Sequence, residues 1–332
     1  MTTERQALLD ALVQAPRLAL QDELQICPLP EQALIQVEGI DSERFLQGQL
    51  SCDIKQVNTD GSAHGAHCSI KGSILSLYRV INAGQDYFLT VHASTLDASL
   101  ALLQKYILFS KAEAASVTDS WLCFGIAGAK ADTLLEEYTD GPLADNQVCL
   151  KSDSIVVKLP NERYQLWLSL TAAERFTTLE TVTAHLQDAE YWHYLQISNG
   201  EPSIQSETAD SYIPQMCNLQ ALGGVSFKKG CYTGQEVITR LQFRGKLTKY
   251  LALAKISCDA LQEKPQVGDW LDCSDKDKAA QVLQVAEHSG NYYLSYVVNK
   301  RFDQQPLSLK GCEVSSLPLP YTLDPQLFER KA

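Results

Sequence analysis

The hydrophobic period of this chain changes at Gly245, and the change restricts it to a mixed architecture. Ahead of that glycine both helical and strand periods occur. Leu96, Leu100, Leu103 and Ile107 mark one face of a helix, whereas Tyr87–Val91 reads as a strand. Beyond it, Tyr250–Ile256, Trp270–Cys273, Ala280–Ala286 and Tyr292–Val298 are short, alternating and turn-separated, with no helical period. Such a run of strands predicts a small all-β domain, a barrel or a sandwich, over residues 246–332. Residues 1–245 form an α+β region by the same reading.

Within that region, residues 4–24 predict one or two helices broken near Pro16. Ala33–Val37 is a strand that turns at Gly39 into a short helix capped by Asp41 or Ser42, with Phe45 and Leu46 inward. Two alternating runs flank Lys71-Gly72 and predict a hairpin over Ala63–Ile81. A second strand–Gly–helix unit runs from Leu122 through Gly128 to Tyr138. It echoes the first, with Gly-Ala-Lys-Ala-Asp-Thr-Leu-Leu against Gly-Ile-Asp-Ser-Glu-Arg-Phe-Leu. The echo points to two related α+β lobes, the second over about 115–190. Strands Ile155–Leu159 and Tyr164–Ser169 and a long helix from Thr171 to about Leu186 complete that lobe.

A chain of 332 residues exceeds one ordinary core, and 45% apolar content is that of a globular protein. The start has no basic segment leading into an apolar run, and no stretch of about 18 apolar residues follows. No signal peptide, no membrane span and a cytoplasmic location are the resulting expectations. The ten cysteines, at 27, 52, 68, 123, 149, 217, 231, 258, 273 and 312, show no Cys-x-x-Cys pair, which argues against a zinc ribbon. His64, His67 and Cys68 form His-x-x-His-Cys, but strand positions 64 and 67 point to opposite faces, so no metal site is expected. A net charge of −12 disfavours strong direct nucleic-acid binding.

Chemistry is densest at 228–236, Lys-Lys-Gly-Cys-Tyr-Thr-Gly-Gln-Glu. Thr233 and Glu236 have capping-box spacing, Val237, Ile238 and Leu241 give the following helix a buried stripe, and Gly245 ends it. Cys231 then lies within a turn of a helix N-terminus, beside two lysines, where a thiolate is favoured. The alternative is a buried structural cysteine on a connector. A phosphate loop is excluded, because Gly230 to Gly234 is too short and Gln-Glu stands where Lys-Ser/Thr is required. Lys228, Lys229, Arg240, Arg244, Lys246 and Lys249 against Glu236 alone give a local charge of +5. Arg240 and Arg244 share one helix face, which makes the segment either a solvated basic face or a landing site for an anion. Trp192 is either a core aromatic or a wall on which a heteroaromatic ring stacks.

The stretch from Ile213 to Glu236, Ile-Pro-Gln-Met-Cys-Asn-Leu-Gln-Ala-Leu-Gly-Gly-Val-Ser-Phe-Lys-Lys-Gly-Cys-Tyr-Thr-Gly-Gln-Glu, closely resembles the signature of the YgfZ family of folate-binding, tRNA-modifying bacterial proteins. The wider likeness is to the folate-binding superfamily that includes glycine-cleavage aminomethyltransferases and mitochondrial iron–sulfur assembly proteins. Further matches are Asp41-Ser-Glu-Arg-Phe-Leu-Gln-Gly-Gln-Leu, His67-Cys-Ser-Ile-Lys-Gly, Lys105-Tyr-Ile-Leu-Phe-Ser-Lys and Pro318-Leu-Pro-Tyr, in order along nearly the whole chain.

The resemblance implies two α+β lobes and a C-terminal β-barrel around a pocket for tetrahydrofolate or a one-carbon derivative. It implies a role in sustaining iron–sulfur enzymes, such as tRNA methylthiolation enzymes, and through them tRNA thiolation. Cys231 matches the family's motif cysteine, with Lys229 as its activator, and Trp192 matches a tryptophan associated with folate. Lys228, Arg240 and Arg244 are the cations offered to the glutamyl carboxylates. Gln32 stands where the family has a second tryptophan, and Ser198 where a carboxylate precedes the glycine matched by Gly200.

The main reading is therefore a folate-binding accessory protein rather than a stand-alone enzyme. The alternatives are a folate-dependent aminomethyl-type transferase and a direct RNA-binding enzyme. The first needs a carboxylate near the folate, for which only Asp97 is available, Ser99 occupying the aligned place. The second needs a broad basic surface. Cys231 has three roles open to it, attacking a one-carbon electrophile, holding a cluster transiently, or exchanging with a disulfide.

Overall fold

The computed structural model describes residues 3–17 and 23–329. Helix α1 (Thr3–Gln14) stops short of Pro16, and residues 18–22 of the predicted helical stretch lie outside the described residues. Strand β1 (Gln25–Pro28) precedes the first lobe. That lobe contains β2 (Gln32–Glu38), α2 (Ser42–Gln49), α3 (Ile54–Asp60), β3 (Ser62–Cys68), β4 (Ile74–Ala83), β5 (Asp86–His92), α4 (Leu96–Ile107) and β6 (Glu113–Ser116). The second lobe contains β7 (Trp121–Ala127), α5 (Ala131–Leu135), β8 (Val148–Lys151), β9 (Ser154–Leu159), β10 (Arg163–Ser169), α6 (Leu170–Thr177) and α7 (Glu180–Ala184).

The repeat legible at Gly39 and Gly128 extends to the topology. One five-stranded sheet has the order β3-β4-β5-β2-β6 and the other β8-β9-β10-β7-β1. Each has an interior strand, β2 or β7, that ends in a glycine and a helix, with a three-strand meander on one side and a single edge strand on the other. Both glycines have positive φ, +116° and +108°, a conformation that costs glycine little. A Cβ on Gly39 would stand 2.5 Å from the Lys111 carbonyl oxygen, and one on Gly128 would stand 2.6 Å from that of Glu23. Lys111 and Glu23 lie just ahead of the two edge strands β6 and β1, so the same close approach seats the edge in both lobes.

Alternation on β7 and β10 puts Leu122, Phe124, Ile126, Leu166 and Leu168 into one core with Phe176 of α6 and Leu9 of α1. The predicted helix from Thr171 to Leu186 is broken into α6 and α7. The hydroxyls of Thr177 and Thr178 donate to the carbonyls of Glu174 and Arg175 at 2.9 and 2.7 Å, satisfying acceptors that a continuing helix would use. Leu179 is then extended, with ψ 132°, and restarts the chain as α7.

Helices α8 (Ala189–Ser198) and α9 (Gln235–Arg244) precede the all-β part. It consists of β11 (Lys249–Ser257), β12 (Trp270–Cys273), β13 (Lys276–His288), β14 (Asn291–Asn299), β15 (Ser308–Leu309), β16 (Cys312–Glu313) and β17 (Ser315–Leu317). These strands form a nearly closed sheet of order β16-β15-β12-β13-β14-β11-β17, the barrel expected from the alternating pattern. The register of β13 against β14 shifts between Val282 and Gln284, a bulge that adds the twist a curling sheet requires. The fold is thus α+β with a terminal β-barrel-like sheet.

By its contacts the chain divides into two compact units. One holds residues 1–46, 54–63 and 78–192, and the other holds 47–53, 64–77 and 193–332. No helix of the described residues is long and apolar enough to cross a membrane.

Candidate functional site

The segment around Cys231 is anchored from below by the short stretch that follows α2. Ser51 Oγ donates to the Gly224 carbonyl at 2.6 Å, and Ser226 N donates to the Ser51 carbonyl at 2.8 Å. Lys229 extends this link. Its Nζ donates to the carbonyls of Leu50 at 2.8 Å and Cys52 at 2.6 Å, next to the end of α2. The ammonium lies 5.1 Å from the centre of the Tyr232 ring. Burial lowers the Lys229 pKa to about 8, against the opposing effects of Cys52 and Asp53. Burial likewise pushes the Cys52 thiol up to about 11, although Lys229 pulls it down.

The helix beyond Cys231 begins differently from its predicted capping box. Gly234 is the N-cap of α9, in the left-handed region at φ 84°, and no side chain caps the helix. The Thr233 hydroxyl faces Gln49 Oε1 at 3.4 Å instead, and Glu236 is exposed. Gly234 turns the backbone between Thr233 and the helix, which removes the threonine from the capping position. Cys231 therefore lies ahead of the N-cap on an irregular turn. Of the predicted stripe only Ile238 is fully buried, with Val237 and Leu241 partly so, and Gly245 is the C-cap as expected.

The turn is possible because Gly234 has no side chain. A Cβ there would stand 2.5 Å from the Ser69 carbonyl oxygen and 3.0 Å from Cys68 Cβ. Gly234→Ala is expected to lower stability by about 2 kcal/mol, from left-handed strain and backbone overlap together. The check is a urea titration, in which the midpoint falls while the slope stays constant.

Above this anchor lies a depression of about 900 Å³ whose lining includes Cys231, Thr239, Arg240, Arg244, Ile70 and Phe243. Cys231 is the one exposed thiol among ten free cysteines, six of which are buried. Arg240 and Arg244 are exposed, as are Ile70 at 82% and Phe243 at 57%. Thr239 Oγ1 is covered and has no hydrogen-bond partner among the described residues. Thus three of the residues singled out from sequence, Cys231, Arg240 and Arg244, share one depression. Lys228 is exposed but does not line it, and Lys229 turns inward to its two carbonyls. Ile70 carried one signal that sequence reasoning passed over, an isoleucine at the tip of a predicted hairpin turn.

Trp192 belongs to the other compact unit. Its ring, on α8, is fully buried against Gly125 of β7, where a Cβ would stand 2.3 Å from Trp192 Cε3. The guanidinium of Arg163 lies 5.7 Å from the ring centre. Among the described residues Trp192 Nε1 has no hydrogen-bond partner, nor has Oε1 of buried Gln165, the register partner of Gly125 on β10. A donor and an acceptor are thus left open around one glycine. Gln32 begins β2 opposite His92, Ser198 ends α8, Asp97 is exposed in the first turn of α4 and Ser99 is buried. Among the described residues no three of His, Cys, Asp and Glu come together in a group that would hold a metal ion. His67 is buried and His64 half-buried.

Residues 6–148 match the family model of the GCVT N-terminal domain. The chain is 31% identical over 311 residues to the tRNA-modifying protein YgfZ of Escherichia coli O127:H6, covering 91% of this chain and 94% of that protein. It is 32% identical over 313 residues to the protein of the same name from Photorhabdus laumondii, covering 91% and 93%. Among solved structures it is similar to the glycine cleavage system aminomethyltransferase T of Bartonella henselae, with a TM-score of 0.69 at 13% identity, over 98% of this chain and 91% of that one. At that identity the likeness is one of fold.

Proposed function

Because the chain belongs to the YgfZ family of tRNA-modifying proteins, we propose that it is a cytoplasmic folate-binding accessory factor that sustains iron–sulfur enzymes responsible for tRNA thiolation. The observation that carries this reading is the depression in which an exposed thiol, Cys231, and two arginines stand together. In this reading Cys231 is the reactive group. Lys229 supports it by fixing the loop on which it stands. Arg240 and Arg244, with Lys228 nearby in sequence, supply positive charge for the glutamyl carboxylates of a folate.

Trp192, in the other compact unit, is a separate candidate for folate, taken from its match to the family's tryptophan and not from the depression. The open donor at Trp192 Nε1 and the open acceptor at Gln165 Oε1 are the complement of a heteroaromatic edge carrying both kinds of group. Tetrahydrofolate, when bound, supplies a carrier for a one-carbon unit. Trp192 gives an apolar wall, and Gly125 sets where that wall stands.

Complementation tests the role of the thiol. In a strain lacking the factor, Cys231→Ala and Cys231→Ser are expected to leave thiolated tRNA nucleosides at the level of the empty vector. Restoration to the wild-type level by both variants would refute it. Calorimetric titration of the wild-type chain with tetrahydrofolate tests the ligand, and an absence of saturable heat would end the folate reading.

A further inference from the structure

Nine of the ten cysteines are wholly or half buried, and Cys231 alone is exposed, in a depression of about 900 Å³ that two exposed arginines also line. The space is large enough for a molecule of some tens of atoms. Its character is mixed in a particular way. Arg240 and Arg244 stand one helical turn apart on the same face of α9, a spacing that presents two guanidinium groups to one ligand. Phe243 and Ile70 offer apolar surface beside them, Glu236 adds one carboxylate against the two guanidinium groups, and the covered Thr239 hydroxyl lacks a partner among the described residues. A ligand matched to this lining has two carboxylates, an apolar stem, and a centre that reacts with a thiol.

We propose that the depression is a site for a small acidic disulfide, with which Cys231 exchanges to form a mixed disulfide. The proposal rests on the reading of Cys231 as a reactive thiol and extends it by naming the class of co-reactant. It does not depend on folate. Of the roles available to the thiol, cluster holding requires more ligands than this surface brings together, since no group of three metal-ligating side chains occurs among the described residues. Disulfide exchange requires one accessible sulfur.

The step balances as written. Cys231 Sγ releases its proton to solvent and attacks one sulfur of the incoming disulfide. A new sulfur–sulfur bond forms as the old one breaks, and the departing half leaves as a thiolate that takes up a proton. Cys231 is oxidised and the released thiol is reduced. Arg240 and Arg244 hold the carboxylates of the incoming molecule and act on its approach and orientation, so they are positioning residues. Their charge makes the rate depend on the charge of the disulfide and on salt.

The test uses the full chain and three probes, glutathione disulfide as the acidic one, hydroxyethyl disulfide as the neutral one and cystamine as the cationic one. Adduct formation is followed by intact mass and located by peptide mapping. Cys231 is expected to be modified first, and glutathione disulfide to react roughly ten-fold faster than cystamine at low ionic strength, with the preference shrinking in high salt. Arg240→Gln with Arg244→Gln should equalise the probes while leaving the circular dichroism spectrum intact, both side chains being exposed. Cystamine reacting as fast as glutathione disulfide would overturn the proposal, and so would an unchanged preference in the double variant. Modification of a half-buried cysteine ahead of Cys231 would overturn it as well. Tetrahydrofolate calorimetry on the same samples reports the folate reading separately, so either idea fails without the other.

Discussion

Trp192→Ala is expected to lower stability by about 3–5 kcal/mol, the cost of emptying a fully buried indole site. The site has little means of collapse. Gly125 lies directly under the ring, and β7 and β10, which carry Gly125 and Gln165, are paired along their whole length. The measurement is a urea denaturation curve, with a lowered midpoint and an unchanged slope. A shift smaller than about 1 kcal/mol would show that the ring is not the packing element described. A loss this large also means that Trp192→Ala failing in a cell reports folding, not ligand recognition. Trp192→Phe separates the two. It keeps an aromatic face on Gly125 and removes only the larger ring and an N–H that has no partner among the described residues. If that N–H serves a bound folate, Trp192→Phe should weaken tetrahydrofolate roughly ten-fold, equivalent to about 1.4 kcal/mol, at a much smaller loss of stability. Unchanged affinity would assign Trp192 to the core alone.

Which parts of this molecule were legible in its sequence follows from the range of the forces involved. The strand Lys249–Ser257 is recorded in alternation and Ser154–Leu159 in a continuous apolar run, and Gly39 and Gly128 are recorded because only glycine tolerates the turn they make. The lobes could be paired from those glycines, while their matching strand orders could not. Edge strand β6 follows its lobe in the chain whereas β1 precedes both, and no local period encodes that. The break between α6 and α7 was recorded weakly, in the adjacent threonines 177 and 178, but apolar periodicity continued across it. At the site, Arg240 and Arg244 were readable as a pair because helical geometry fixes neighbours four residues apart. Their meeting with Ile70 was not, because a hairpin tip more than 150 residues earlier carries no mark of its destination. The capping box failed for a related reason. Thr-x-x-Glu spacing was present, but the overlap a side chain at Gly234 would make with Ser69 decides the local backbone.

His67 should make this protein lose stability in mild acid, and the size and sign of the effect follow from one buried ring. His67 lies on β3, fully buried, where it forms a bridge with Leu50, and burial lowers its pKa from 6.5 to about 4. The unfolded chain therefore takes up a proton near pH 6.5 that the folded chain refuses until about pH 4. Above about pH 7 both states carry a neutral ring and the group contributes no pH dependence. As the pH falls from there, protons bind preferentially to the unfolded state. The penalty grows to about 2 kcal/mol by pH 5 and about 3 kcal/mol by pH 4. Carboxylates add their own acid dependence, and His288, also lowered by burial, adds a share, so the comparison must be made within a pair of proteins. His67→Gln retains a polar side chain but cannot take up the proton. Its stability at pH 7 will differ from the wild type by whatever the exchange costs in packing, but its fall between pH 7 and pH 4 should be shallower by about 3 kcal/mol. Denaturation curves at half-unit steps of pH give this difference directly. Parallel curves for the two proteins would mean that the folded chain protonates His67 as readily as the unfolded one. In that case the strand that carries it toward Cys68, and so toward the turn beneath Cys231, would be more open to solvent than its burial indicates.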